Sequence, residues 1–232
     1  MIIDKQSLDY ITKVVAVAKS LKIEDIIIEP GKVRAIDTDR NVFILHTDDV
    51  PDMLFGSIGL SRLDTFLARL NIAKTLDNCS YEANTINDND PYVKNIIIKA
   101  KGFKVDFRCA NPTTIQAPKA YKKDVKYEFT ILPSINDMMV KGASAMKSDE
   151  VIFNCKQGEL FMEFEDINGD NMSYLISDDV VGDDLNFKYK YPLKLITTFI
   201  KQDKQSLVFE VSNKGILTTK IQGFDTFLFP RT

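Results

Sequence analysis

The chain holds few groups that could do covalent or metal chemistry: one histidine, three cysteines and 33 acidic residues. The histidine, His46, lies in Asn41-Val-Phe-Ile-Leu-His46-Thr47, an apolar run with the character of a strand. No Ser or Cys nucleophile motif accompanies it, so a hydrogen-bonded strand histidine is expected rather than a general base. A multi-histidine metal site is excluded. Cys79, Cys109 and Cys155 form no Cys-x-x-Cys pair and are too few for a disulfide framework, which fits a reducing, cytoplasmic setting. Asp166-Ile-Asn-Gly-Asp170-Asn171 offers oxygen ligands, but its glycine is misplaced for a calcium loop and no Glu closes it. A polar hairpin turn is expected there. Asp178, Asp179, Asp183 and Asp184 read as a solvated loop. Phosphate-binding and nucleophile-elbow glycine motifs are absent. What remains is electrostatic, and it lies in where the basic residues fall.

Gly and Pro punctuation defines the elements that carry them. The 232 residues, 44% hydrophobic and 27% charged, suffice for one large domain or two of about 110. No run approaches the ~20 apolar residues of a membrane span, and Asp4, Lys5, Asp9, Lys13 and Lys19 argue against a signal peptide. Four helices are predicted. Residues 5–20 place Leu8, Ile11, Val15 and Ala18 on one face. A second helix opens at Ser61, with Asp64 in the capping-box position, and buries Leu63, Phe66, Leu67 and Leu70. A third opens at Pro133-Ser134 with Asp137 and runs through Met138, Met139 and Val140. The fourth starts at Pro192 and buries Leu193, Ile196, Phe199 and Ile200.

Strand-like runs lie between the helices: 25–29, 32–37, 42–47, 95–100 and 103–109 in the first half, then 151–156, 159–164, 172–177, 206–211, 215–222 and 224–229. Both halves read strand, helix, hairpin strands, helix and closing meander, an architectural repeat of about 115 residues. The expected fold class is α+β, two similar domains of antiparallel sheets with two helices each. Their expected extents are 1–110 and 126–232, joined by a proline-containing connector over 111–125.

The net charge of −3, from 30 basic and 33 acidic residues, hides a partition. The windows 5–22, 61–74, 134–147 and 192–204 hold twelve basic and four acidic residues, a net of +8. The rest of the chain holds 18 basic and 29 acidic residues, a net of −11. Helix C-termini favour cations, which accounts for Lys19, Lys22, Lys147 and Lys204. It does not account for the absence of Glu, an equally good helix former, from all four windows. Lys13, Lys141, Lys194 and Lys201 lie opposite the apolar faces of their helices, and Arg62 and Arg69 flank theirs. Such a surface would hold a polyanion through non-specific, salt-sensitive phosphate contacts.

These residues carry a family resemblance. Arg34-Ala-Ile-Asp37…Asn41-Val-Phe-Ile-Leu45 resembles the strand–turn–strand of DNA sliding clamps of the proliferating-cell-nuclear-antigen and tailed-phage type. Leu54-Phe-Gly-Ser-Ile-Gly-Leu60-Ser-Arg-Leu-Asp-Thr-Phe-Leu67 resembles their entry into the second helix. Phe227-Leu228-Phe229-Pro230-Arg231 is similar to their C-terminus, and Phe107-Arg-Cys-Ala-Asn-Pro-Thr-Thr…Ala-Pro118 resembles the phage connector. The resemblance implies a homotrimeric ring around double-stranded DNA, with helices lining the hole and sheets outside. It implies no enzymatic activity, no cofactor, no metal and no membrane, with a DNA polymerase and an ATP-driven clamp loader as partners. Lys13, Lys19, Arg62, Arg69, Lys141, Lys147, Lys194 and Lys201 would face phosphates.

A partner groove is implied between the connector (Ile115, Pro118, Tyr121, beside Ile36 and Val42) and the terminal Phe227, Leu228, Phe229 and Pro230. Phe229 replaces a small residue of the cellular family, which would reshape that groove. Subunit contact would pair Lys104–Cys109 of one chain with Met172–Ser177 of the next. The alternatives are a monomeric processivity factor with more concentrated basic charge, a β-rich virion protein with no reason to segregate charge, and a metal-dependent nuclease built from the acidic residues.

Overall fold

The helix expected over residues 5–20 forms as α1 (Lys5–Ser20), capped by Asp4, whose Oδ1 accepts from the Ser7 N–H at 2.7 Å. Its Ile11, Val14, Val15 and Ala18 are fully buried. The computed structural model describes residues 1–51, 56–86, 92–182, 185–202 and 206–231. Expectations on Leu54, Phe55, Asp183, Asp184, Asp203 and Lys204 lie outside the described residues. The chain divides into two units, Met1–Tyr121 and Lys122–Thr232. Residues 111–121 of the expected connector therefore belong to the first.

In the first unit α1 leads into the meander β1 (Ile26–Glu29), β2 (Lys32–Ile36) and β3 (Val42–His46). Next come β4 (Ile58–Leu60), α2 (Leu63–Lys74) and a second meander, β5 (Ser80–Ile86), β6 (Tyr92–Ala100) and β7 (Phe103–Arg108). All pairings are antiparallel, in the orders β3-β2-β1-β4 and β5-β6-β7. Residues 1–3 lie beside β5 as a short extra strand. The Ile3 N–H donates to the Tyr81 carbonyl at 2.8 Å, and the Ala83 N–H to the Met1 carbonyl at 2.7 Å.

The second unit runs β8 (Val125–Ile131), α3 (Ile135–Met146), β9 (Glu150–Lys156), β10 (Glu159–Glu165) and β11 (Asn171–Ser177). It continues with β12 (Val181–Gly182), β13 (Phe187–Pro192), α4 (Leu193–Gln202), β14 (Leu207–Ser212), β15 (Leu217–Ile221) and β16 (Phe224–Leu228). Its sheets are ordered β11-β10-β9-β13 and β12-β8-β14-β15-β16. Each order mirrors one in the first unit: β9, β10, β11 and β13 match β1, β2, β3 and β4, and β14-β15-β16 matches β5-β6-β7. In this match β8 takes the place of residues 1–3. The repeat read from the sequence is therefore a repeat of topology.

The two cores differ in composition. Around Phe129 in the second unit, Phe153 stands edge-on at 5.6 Å and Phe209 stacks at 5.7 Å. The first unit relies on Ile26, Ile28, Val33, Ile96 and Ile98, with Phe66 edge-on to Phe107 at 5.0 Å.

Several helix boundaries differ from expectation. Ser61 does not cap α2; Arg62 occupies that position with a left-handed backbone (φ 56°) and no capping side-chain bond. Ser134 stands at the start of α3 but makes no cap bond. Met138 and Val140 are 37% and 44% exposed. The buried stripe is instead Met139, Gly142 and Ala143, because α3 packs closely on β10 and β11. A Cβ at Gly142 would lie 2.7 Å from the Phe164 ring, so that approach requires glycine. Pro192 ends β13, paired with Glu150, and α4 begins one residue later.

Candidate nucleic-acid interface and open strand edges

Helix pairs form within each unit, α1 with α2 and α3 with α4, and each buries its apolar stripe. On α4, Ile196, Phe199 and Ile200 are buried, while Lys194 and Lys201, seven residues apart, share the exposed side. Lys141 of α3 is exposed opposite Met139 and Gly142, and Lys147 caps the helix in a left-handed conformation at φ 51°. Lys141, Lys147 and Lys201 have no carboxylate within ion-pair distance among the described residues. On α1, Lys13 is exposed, whereas Lys19 pairs with Asp64 of α2.

Arg62 and Arg69 are placed differently from the lysines. Both guanidinium groups lie over the Phe107 ring of β7, 5.0 and 5.5 Å from its centroid. Arg62 Nη2 also donates to the Arg108 carbonyl at 2.9 Å. These two cations are engaged at the edge of a sheet, a commitment that no spacing in the sequence shows. Sequence reasoning also missed Phe107 and Arg108 as their platform; an aromatic in an edge strand carries no such signal.

Several lysines of the strands and the connector are neutralised instead. Lys188 Nζ lies 3.2 Å from Glu163 Oε2 and from Glu165 Oε1, and Lys190 Nζ lies 3.3 Å from Glu165 Oε2. Hydrogen bonding to Lys188 holds the Glu165 carboxyl below its usual range. Lys99 pairs with Glu82 at 2.7 Å, and Lys123 with Glu210 and Asp225 at 3.1 and 3.2 Å. Burial opposes the charge of Lys123, but its two carboxylate partners outweigh burial and raise its pKa. Among the described residues Lys141, Lys147 and Lys201 of the helices are thus open, whereas Lys99, Lys188 and Lys190 of the strands are paired.

Of the residues expected to take a partner peptide, Val42 and Leu228 are fully buried and Phe227 is 2% exposed, so they serve as core. Ile36, Ile115, Pro118 and Tyr121 in the first unit are half-buried, as are Phe229 and Pro230 in the second. The connector is fastened to its own unit. The Ala110 N–H donates to the Gly59 carbonyl at 2.8 Å, Arg40 to Gln116 at 3.2 Å, and Tyr121 stands edge-on to Phe43 at 5.7 Å. A Cβ on Gly59 would come 2.5 Å from the Ala110 carbonyl oxygen and collide with that segment.

The two strands expected to make subunit contacts, β7 and β11, are terminal in their sheets. Asp166 accepts from the N–H groups of Asn168 and Asp170 at 2.8 and 2.9 Å, which makes 166–170 the β10–β11 hairpin turn. Burial pushes the Cys109 thiol up to about 12. Among the described residues no group of His, Cys, Asp and Glu converges to hold a metal ion, and no helix is long and apolar enough to cross a membrane.

No protein-family model matches the sequence, and no curated protein matches it. Solved structures do. The PCNA of Thermococcus kodakaraensis superposes with a TM-score of 0.64 at 13% identity, covering 100% of this chain and 99% of that one. This is the fold of a DNA sliding clamp. The A. fulgidus PCNA bound to the C-terminal region of FEN-1 agrees equally well (TM-score 0.64, 13% identity, 97% and 96% coverage). The DNA polymerase III subunit beta of Borrelia burgdorferi gives 0.67 at 14% identity, covering 100% of this chain. This chain spans 62% of that longer clamp.

Proposed function

We propose that the chain is one subunit of a homotrimeric sliding clamp that surrounds duplex DNA and tethers a replicative DNA polymerase. The observation that carries this reading is the full-length match to PCNA structures of nearly equal length. Lys141, Lys147 and Lys201, open among the described residues, support it: they would give mobile, sequence-independent phosphate contacts, suited to a ring that slides. Three copies would bring twelve helices to the central hole, and the hold on DNA would be topological.

In this reading the clamp raises processivity without chemistry of its own, and a separate ATP-driven loader opens it. The resemblance of residues 107–118 to the phage connector supports a tailed-phage origin and a host-cytoplasmic setting. Partner peptides would meet half-buried apolar residues, with Ile115, Pro118 and Tyr121 of the connector as the candidates in the first unit.

The test reverses the charge of the α4 stripe. Lys194→Glu with Lys201→Glu is expected to leave folding intact, since both side chains are exposed. It is expected to abolish stimulation of the cognate polymerase on long primed templates and to spare synthesis on short ones. Undiminished stimulation on long templates would reject the assignment of these helices to DNA.

A further inference from the structure

Alternation of backbone groups along β7 shows what its open edge offers. The Cys109 N–H donates to the Lys94 carbonyl at 2.8 Å, which makes 109 and 94 a hydrogen-bonded pair of the antiparallel ladder. Bonded pairs recur at every second residue, and the β6–β7 register is unbroken. Phe107 and Val105 therefore turn their backbone groups toward β6, and Lys104, Asp106 and Arg108 turn theirs outward. On β11 the Asp166 N–H donates to the Asp170 carbonyl at 3.0 Å, and by the same rule Asn171, Ser173 and Leu175 face outward. Each edge presents three outward residues, so two copies of this chain can pair head to tail.

One of these outward groups is already occupied. The Arg108 carbonyl accepts from Arg62 Nη2 at 2.9 Å. The guanidinium is held there by the face of Phe107 and by the left-handed backbone of Arg62, an uncommon conformation for a residue with a side chain. Resting on the clamp reading above, we propose that Arg62 is a ladder stop. Its guanidinium fills the last outward carbonyl of β7, limits pairing with a second copy's β11 to Lys104 and Asp106, and keeps the subunit contact weak enough to open. A cation spent in this way is not available to DNA.

Arg62→Gly tests this directly, because glycine keeps the left-handed backbone while removing the guanidinium. The concentration at which the trimer half-dissociates, followed by light scattering on dilution, is expected to fall about tenfold, the worth of one more net hydrogen bond at each of three contacts. Arg62→Lys, which keeps the charge but not the planar fork, is expected to fall between the two. An unchanged or higher dissociation concentration, in a protein whose wild type does oligomerise, overturns the ladder stop and leaves the clamp reading standing. Wild type and Arg62→Gly both monomeric at every concentration overturns the edge pairing, and the ladder stop with it. A monomeric wild type with an oligomeric Arg62→Gly also overturns the proposal, because the stop would then prevent the contact instead of weakening it.

Discussion

The sheet β5-β6-β7 has two edges, and they are finished in opposite ways. Along β5, residues 1–3 add a strand, with backbone hydrogen bonds to Tyr81 and Ala83 and a nearly buried Ile3. Along β7 no strand is added among the described residues. The outward groups of Lys104 and Asp106 have no partner among them, and the Arg62 side chain takes the carbonyl of Arg108. The second unit repeats the sealed case with a complete strand, since β8 covers β14 from Leu207 to Ser212. An exposed edge invites uncontrolled pairing, and proteins cover edges that have no use. In the proposed ring, the edge left open where its sister is sealed twice would be the one that meets another copy.

Breaking the sealed edge has the largest expected effect on stability. Ile3→Pro removes the N–H that bonds Tyr81 and disturbs a buried side chain, so the loss is about 2–4 kcal/mol in urea unfolding. The freed β5 edge is expected to promote aggregation on warming. Asp106→Pro acts on the other edge. Its N–H faces outward, so no ladder bond inside the sheet is lost and the expected cost is about 1 kcal/mol or less. The oligomer, by contrast, is expected to dissociate. A stable, still oligomeric Asp106→Pro protein would place the subunit contact elsewhere.

Much of this organisation was legible in the sequence. The apolar periodicity of 5–20 and 192–202, the glycine turns between hairpin strands and the basic bias of the helix windows all correspond to elements of the structure. What failed failed for physical reasons. The sequence of β5, Ser-Tyr-Glu-Ala-Asn-Thr-Ile, has only Ala83 buried, so its strand character comes from pairing with β6 and residues 1–3 rather than from hydrophobic alternation. Pro192 looks like a helix opener, yet it ends a paired strand.

Burial on both faces is equally hard to read in advance. Leu228 and Phe227 alternate as one inward and one outward residue should, but every residue of β16 is buried. Their truncation would therefore probe the core rather than partner binding. Arg62 and Arg69 were found as cations, but their tie to Phe107 depends on how α2 lies over β7, which no local pattern encodes.

In the proposed clamp the open edges join copies of this chain into a ring. The mass of the wild-type protein in solution, measured by light scattering over a concentration series, decides whether they do. A limiting species of about 79 kDa, three times the 26.3 kDa subunit, that shrinks on dilution is expected. A species that stays at 26.3 kDa at every concentration would contradict the ring and favour a ringless factor acting as a monomer.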